Sequence, residues 1–281
     1  MSPTNIDESV IQEYLNEAFP LHRASREGLF DVLEVLISKH GLNPNSQTFD
    51  MVTALHEASA WGHIECVKLL IKLDASINAR NIDGSTPLCD ASSHGRKDCV
   101  RILLDAGALV NPPLLLTSPL HEAVFNDNWE CAEMLIEAGA DLHANDIHFG
   151  TPLHVASLKG HYKCAEVLLR AGANVNMAKM HQTALHEALK QGWDTDFLKL
   201  LLEHGANVNY INNQGLTSKD LAQKHSQNWD LLINWERTPQ SLMFYARKCI
   251  RQCIKNYHLI TFSLLPPPPT LLFCLFFMHP A

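Results

Sequence analysis

Five histidines, His22, His56, His121, His154 and His186, recur at nearly constant spacing, and so do four cysteines, Cys66, Cys99, Cys131 and Cys164. These are the residue types that bind zinc or, paired with each other or with serine, attack a carbonyl. The spacing argues against both uses. A zinc ion needs its donor atoms about 2.0 to 2.3 Å from one centre, whereas members of each set recur once in about 33 residues, one per unit of a repeating design. Stacked units line such residues up in a row, so no metal site is expected. No Ser/His/Asp or Cys/His pair stands where it would activate a nucleophile, and no glycine-rich phosphate loop occurs. Neither catalytic residues nor a cofactor are therefore expected. Each ring is expected to bond backbone or hydroxyl groups between units.

The elements that carry these residues are legible in the same repeat. Pro20-Leu21-His22, Thr53-Ala54-Leu55-His56, Thr86-Pro87-Leu88-Cys89, Ser118-Pro119-Leu120-His121, Thr151-Pro152-Leu153-His154 and Thr183-Ala184-Leu185-His186 are variants of one phrase. Thr86 or Ser118 can accept a hydrogen bond from a free N–H at a helix start, where Pro87, Pro119 and Pro152 lose nothing by lacking one. Leu21, Leu55, Leu88, Leu120, Leu153 and Leu185 point into the stack, followed by small residues such as Ala58 and Ala91. Gly62, Gly95, Gly160 and Gly192 end this helix. A second helix follows, as in Cys66-Val67-Lys68-Leu69-Leu70, closed by a glycine such as Gly107 or Gly139. The cysteines thus share one place in successive second helices. Neighbouring helices lie about 8 to 10 Å apart, beyond the roughly 7 Å that a disulfide spans between Cα atoms, which predicts buried free thiols in a reducing compartment.

A fixed period with a Thr-Pro-Leu-His-x-Ala phrase resembles the ankyrin repeat. The resemblance implies an all-α fold: an ankyrin-repeat solenoid of helix-helix-hairpin units, followed here by a short amphipathic C-terminal helix. Residues 1–17 are read as an N-terminal extension, 18–235 as six recognisable repeats and a degenerate C-terminal cap, 238–258 as an adaptor helix, and 259–281 as a divergent or alternative apolar tail. Stacked repeats offer a long binding surface. Phe49, Ile82, Leu114, Leu115, Ile147 and Met180 fall at or near the hairpin tips, and Trp61, His94 and Phe125 near the ends of first helices on the adjoining concave side. These nine are the expected target-binding residues, because exposed apolar ridges mark partner sites and aromatic anchors dominate affinity.

A net charge of −8 argues against nucleic acid. Met1–Gln12 lacks the basic start and apolar run of a signal peptide, so a cytoplasmic protein is expected. After the repeats, Leu242, Ala246, Cys249, Ile250, Cys253 and Ile254 share one helical face opposite Arg247, Lys248, Arg251 and Lys255. Ankyrin repeats followed by Pro239-x-Ser241-Leu242, Arg247 and Ile250-Arg251 resemble the ankyrin-repeat-and-SOCS-box family, the substrate receptors of cullin-RING ubiquitin ligases. The stretches Ala79–Ala91, Val110–Leu114 and His148–Ala156 carry the likeness within the repeats.

That resemblance implies a non-catalytic subunit that holds an unknown protein substrate for ubiquitination. It binds elongin C through Leu242, Ala246 and Ile250, brings elongin B with it, and joins a type-five cullin. Ala246 stands where the family has Cys. Leu265-Pro266-Pro267-Pro268-Pro269-Thr270-Leu271 matches the cullin-selecting element only loosely. The tail reads as a divergent cullin box, a variant C-terminus or a membrane anchor, and four consecutive prolines argue against the anchor. The alternative function is an ankyrin scaffold that recruits no ligase.

Overall fold

In the computed structural model of the chain, residues 8–113, 117–146, 148–222, 224 and 226–237 are described. They divide between two compact bodies, Met1–Ala156 and Ser157–Ala281. In the first body a helix α1 (Glu8–Leu15) precedes four helix pairs: α2 (Pro20–Glu27) and α3 (Phe30–Ser38), α4 (Ala54–Trp61) and α5 (Ile64–Lys72), α6 (Pro87–Ser93) and α7 (Lys97–Asp105), α8 (Pro119–Phe125) and α9 (Trp129–Glu137). Helix α10 (Pro152–Lys159) runs through the division. The second body contains α11 (Tyr162–Arg170), a hairpin of β1 (Ala178–Lys179) and β2 (Gln182–Thr183), α12 (Ala184–Gln191), α13 (Thr195–Glu203), α14 (Ser218–Leu221) and α15 (Gln227–Arg237). This is the mostly helical solenoid that the repeat predicts.

In the first body the first helices α2, α4, α6 and α8 pack in a row, and so do the second helices α3, α5, α7 and α9. Leu21, Leu55, Leu88 and Leu120 are buried between them. Ala24, Ala58, Ala91 and Ala123 are fully enclosed, which lets neighbouring helix backbones close on one another. The helix starts follow from local chemistry: Thr86 Oγ1 accepts from the Cys89 N–H and Ser118 Oγ from the His121 N–H, both at 3.3 Å. The stops require left-handed backbone. Gly62 caps α4 at φ 84°, and in the fourth repeat Asp127 adopts φ 59° in the place of that glycine.

Two side-chain ladders outside the expected set join successive repeats. Asn45 Nδ2 donates to the Asp74 carbonyl while its Oδ1 accepts from the Ser76 N–H. Asn111 does the same with Gly139 and Asp141, and in the second body Asn176 does so with Gly205 and Asn207. One amide thereby satisfies both a helix-terminal carbonyl and a loop N–H of the next repeat. The second ladder caps the first helices from behind. His63 bonds the Arg26 carbonyl, Arg96 that of Ala60 and Asn128 those of Ser92 and Ser93; in the second body, the Trp193 indole donates to the Ser157 carbonyl at 2.7 Å. These side chains lie over the preceding glycine: a Cβ on Gly160 would sit 2.8 Å from the Trp193 ring.

The ends differ from expectation in detail. The N-terminal extension contains α1, whose Ile11 and Tyr14 are buried against α2 and α3. Arg23 of α2 reaches Glu13 of α1 and Glu17 just beyond it, and Glu27, paired to Arg23 within α2, accepts from the Tyr14 hydroxyl of α1. Among the described residues only β1 and β2 pair as strands; three other loops close with single bridges, Gln47 to Thr53, Asp146 to Gly150 and Ile211 to Thr217. In the second body half-buried Lys219 pairs with Glu236 at 2.7 Å, and Leu232 of α15 is fully buried.

Candidate partner-binding face

Three of the repeating histidines, His56, His121 and His186, are held through both ring nitrogens. Nδ1 of His56 faces the Thr53 hydroxyl at 2.8 Å and accepts from the Thr53 N–H at 3.1 Å, completing a capping box in which imidazole takes the usual role of Glu. Its Nε2 donates to the Ser85 carbonyl of the next repeat at 3.2 Å. His121 bonds Ser118 and the Gly150 carbonyl in the same way, and His186 bonds Thr183 and the Tyr210 carbonyl. Burial holds His56 down at about 4 and lowers His22, His121 and His186, so the rings are neutral near pH 7. His22 shows what the hydroxyl supplies. Phe19 replaces the usual Thr there, and His22 Nδ1 has no protein partner.

Cys66, Cys89, Cys99, Cys131 and Cys164 are free and buried, and burial pushes the first four up to about 11, far from a reactive thiolate. Among the described residues no three His, Cys, Asp or Glu side chains converge on a metal position.

The loops between repeats, here called fingers, carry the exposed apolar side chains. In the first body Phe49 is 92% exposed, Ile82 66% and Trp61, the last residue of α4, 53%. The Ile82 N–H donates to the Asp50 carbonyl at 2.9 Å, which ties two neighbouring fingers together. Exposed His94 caps α6 and sets its Nδ1 2.9 Å from the Asp90 carbonyl. Phe125 is half-buried at the end of α8 and meets Phe149 of the next finger at 5.4 Å between ring centres. In the second body Met180 stands exposed at the tip of the β1–β2 hairpin. Leu114, Leu115 and Ile147, and the adaptor residues Leu242, Ala246 and Ile250, lie outside the described residues.

Exposed Met51 and Phe149 belong to the same fingers and were missed in the sequence reading. Met51 holds φ 59° at the place where other fingers have Gly84 and Gly215, which is a signal that aligning the repeats could have supplied. At the inner end of these fingers, Glu57, Asp90 and Glu122 occupy one place in α4, α6 and α8. Glu57 is neutralised by the Arg26 guanidinium at 2.7 and 3.1 Å. Asp90 accepts from the Ser85 hydroxyl at 2.7 Å, and burial pushes it up to about 6. Burial likewise raises Glu122, which has hydroxyl partners in Thr117 and Ser93. The second body has an open cleft of about 570 Å³ lined by Tyr162, Trp193 and Phe197. Its charges are already engaged, with Asp194 capping α13 and Lys199 paired to Asp196.

The family pattern for ankyrin repeats, in three copies, matches residues 21–114, 77–146, 120–212 and 153–236. The chain belongs to the ankyrin-repeat family. Among solved structures, the ankyrin repeat domain of human ASB11 is 36% identical with a TM-score of 0.72, covering 79% of this chain and 99% of that one. The ankyrin repeat domain of Bcl-3 is 29% identical with a TM-score of 0.65, covering 76% and 97%. Among curated proteins, ankyrin repeat and SOCS box protein 5 of Mus musculus is 40% identical over 151 residues, 53% of this chain and 46% of that protein. Ankyrin repeat and SOCS box protein 11 of Mus musculus is 35% identical over 141 residues, 50% and 43%. The chain thus spans about half the length of the curated relatives it matches, and the homology lies with these proteins generally. Among the described residues no helix is long and apolar enough to cross a membrane.

Proposed function

We propose that this chain is a substrate-recognition subunit of an elongin/cullin-RING ubiquitin ligase. Its ankyrin repeats hold a target protein, the segment from Pro239 to Ile254 engages elongin C, and the chain itself makes or breaks no bond. The observation that carries the reading is the 36% identity to the ASB11 ankyrin repeat domain across 99% of that domain, taken with the Leu242, Arg247 and Ile250-Arg251 pattern that follows the repeats in this sequence. The apolar fingers support target binding, since exposed apolar groups gathered on adjoining loops, rather than scattered singly, mark partner sites. Within this reading the chain resembles the family's thirteenth-numbered member, works in the cytoplasm, and joins a type-five cullin through elongins B and C.

The departure of Ala246 from Cys and the loose cullin-selecting element favour a second reading, in which the chain is a scaffold that binds a protein without recruiting a ligase. Co-expression with elongins B and C separates the two. The receptor reading expects both elongins to co-purify with the chain and to be lost with Leu242→Asp. Clean separation of the unaltered chain from both elongins selects the scaffold.

A further inference from the structure

The finger side of the first body presents apolar groups next to uncompensated acid. Phe49, Met51 and Ile82 are exposed on two fingers held together by the Ile82 to Asp50 backbone bond. Met51 keeps a left-handed backbone that glycine would hold without strain. That conformation persists only where the surroundings impose it, and such positions cluster at binding surfaces. At the roots of the fingers, Ser85 and Thr117 contact Asp90 and Glu122, so the carboxylates and the fingers belong to one face.

The contrast within the row of acids indicates what should complete it. Glu57 has its guanidinium from Arg26; for Asp90 and Glu122, no Lys or Arg among the described residues lies within ion-pair distance, and their hydrogen-bonding side-chain partners are hydroxyls, with the His94 ring the one basic group acting on Asp90. Each is partly withdrawn from water without a counter-charge, an arrangement that costs free energy in the unbound protein and is relieved by an incoming cation. Exposed Asp50 and Asp83 at the tips add to the same sign.

We propose that this face binds a protein segment in which a lysine or arginine is flanked by bulky apolar side chains, with the cation set against Asp90 and Glu122 and the apolar groups against Trp61, Ile82 and Phe149. The proposal rests on the target-binding reading above and gives the chemistry of the target. Charge complementarity of this kind sets specificity and steers association.

The test is selection of a phage-displayed random peptide library on the full chain, followed by fluorescence anisotropy with the enriched peptides. The expected consensus places Lys or Arg beside aromatic or branched aliphatic residues. The expected affinity falls roughly ten- to a hundredfold in the Asp90→Asn/Glu122→Gln double variant, the scale of a lost charge-assisted bond, and weakens with salt in the unaltered chain. The melting temperature of that variant should stay level or rise, which separates lost binding from lost folding. Enrichment of acidic or uncharged peptides, no enrichment at all, or equal affinity for the double variant overturns the proposal. Elongin capture by the double variant should match that of the unaltered chain, so failure here leaves the ligase reading to its own test.

Discussion

Replacing Asp90 by Asn should stabilise the protein at neutral pH. The folded carboxyl sits at about 6 against an ordinary 3.8, chiefly because burial penalises its charge. The folded state therefore holds this proton more tightly than the unfolded chain does, and stability is lost as pH rises from 3.8 through 6, after which the loss is constant. A displacement of that size corresponds to about 3 kcal/mol at about pH 7.5 and roughly half of that at about pH 5, at 1.36 kcal/mol per unit. Asn removes the charge and keeps an oxygen that can accept from the Ser85 hydroxyl now 2.7 Å away. With a urea slope of roughly 2 to 3 kcal/mol per molar, the midpoint should move up by about 1 M at the higher pH and by about half that at the lower. Equilibrium urea denaturation of both forms at the two pH values reads this directly. A midpoint that falls, or a gain that is the same at both pH values, refutes the reasoning that Asp90 is a desolvated, uncompensated charge.

Four further outcomes follow from the same geometry. His56, held at about 4 against 6.5 by burial, has the opposite sign: its stabilisation is complete above 6.5 and is lost as pH falls through 4, by up to about 3 kcal/mol, which ring titration by NMR and urea midpoints in acid both measure. His56→Ala should cost roughly 2 to 4 kcal/mol at neutral pH by leaving the Thr53 N–H and Ser85 carbonyl buried and unpaired; a loss below about 1 kcal/mol contradicts the capping role. Gly160→Ala should destabilise by at least roughly 1 to 2 kcal/mol, because φ is +74° and the new methyl would meet the Trp193 ring at 2.8 Å; a neutral melting temperature means the ring moves freely. Met51→Gly should raise stability by roughly 0.5 to 1 kcal/mol as relieved strain outweighs the added freedom of the unfolded chain, while weakening capture of the selected peptides; unchanged binding removes Met51 from the face.

The repeat was legible because each letter of its phrase has a local cause. Thr86 and Ser118 cap, Pro87 and Pro119 tolerate the first turn, and Leu88 and Leu120 are buried, all within a few residues of one another. The ladders were not legible, since Asn45, Arg96 and Trp193 act on carbonyls one repeat away and nothing beside them in the sequence shows which groups are left unpaired. Helix α1 escaped notice because its eight residues bury only Ile11 and Tyr14, and its polar links to Arg23 and Glu27 come from residues of the following helix. The candidate face was half visible. Phe49, Trp61 and Ile82 stand out as apolar residues at polar places, and the structure leaves all three exposed. The uncompensated Asp90 and Glu122 could not be told from Glu57, because only folding brings Arg26 to one of the three.

The most direct measurement of the proposed role is calorimetric titration of the elongin B/C complex into the full chain. An apolar side chain buried at an interface contributes roughly 1.5 to 3 kcal/mol, so Leu242→Asp should remove the binding heat. Ala at position 246 lacks one buried heavy atom relative to Cys, worth on the order of 1 to 1.5 kcal/mol with its cavity. Ala246→Cys should therefore tighten binding roughly five- to tenfold. Saturable heat with the natural chain, abolished by the first change and strengthened by the second, is the predicted result. No heat with either the natural chain or the Ala246→Cys form contradicts the receptor and leaves an ankyrin scaffold.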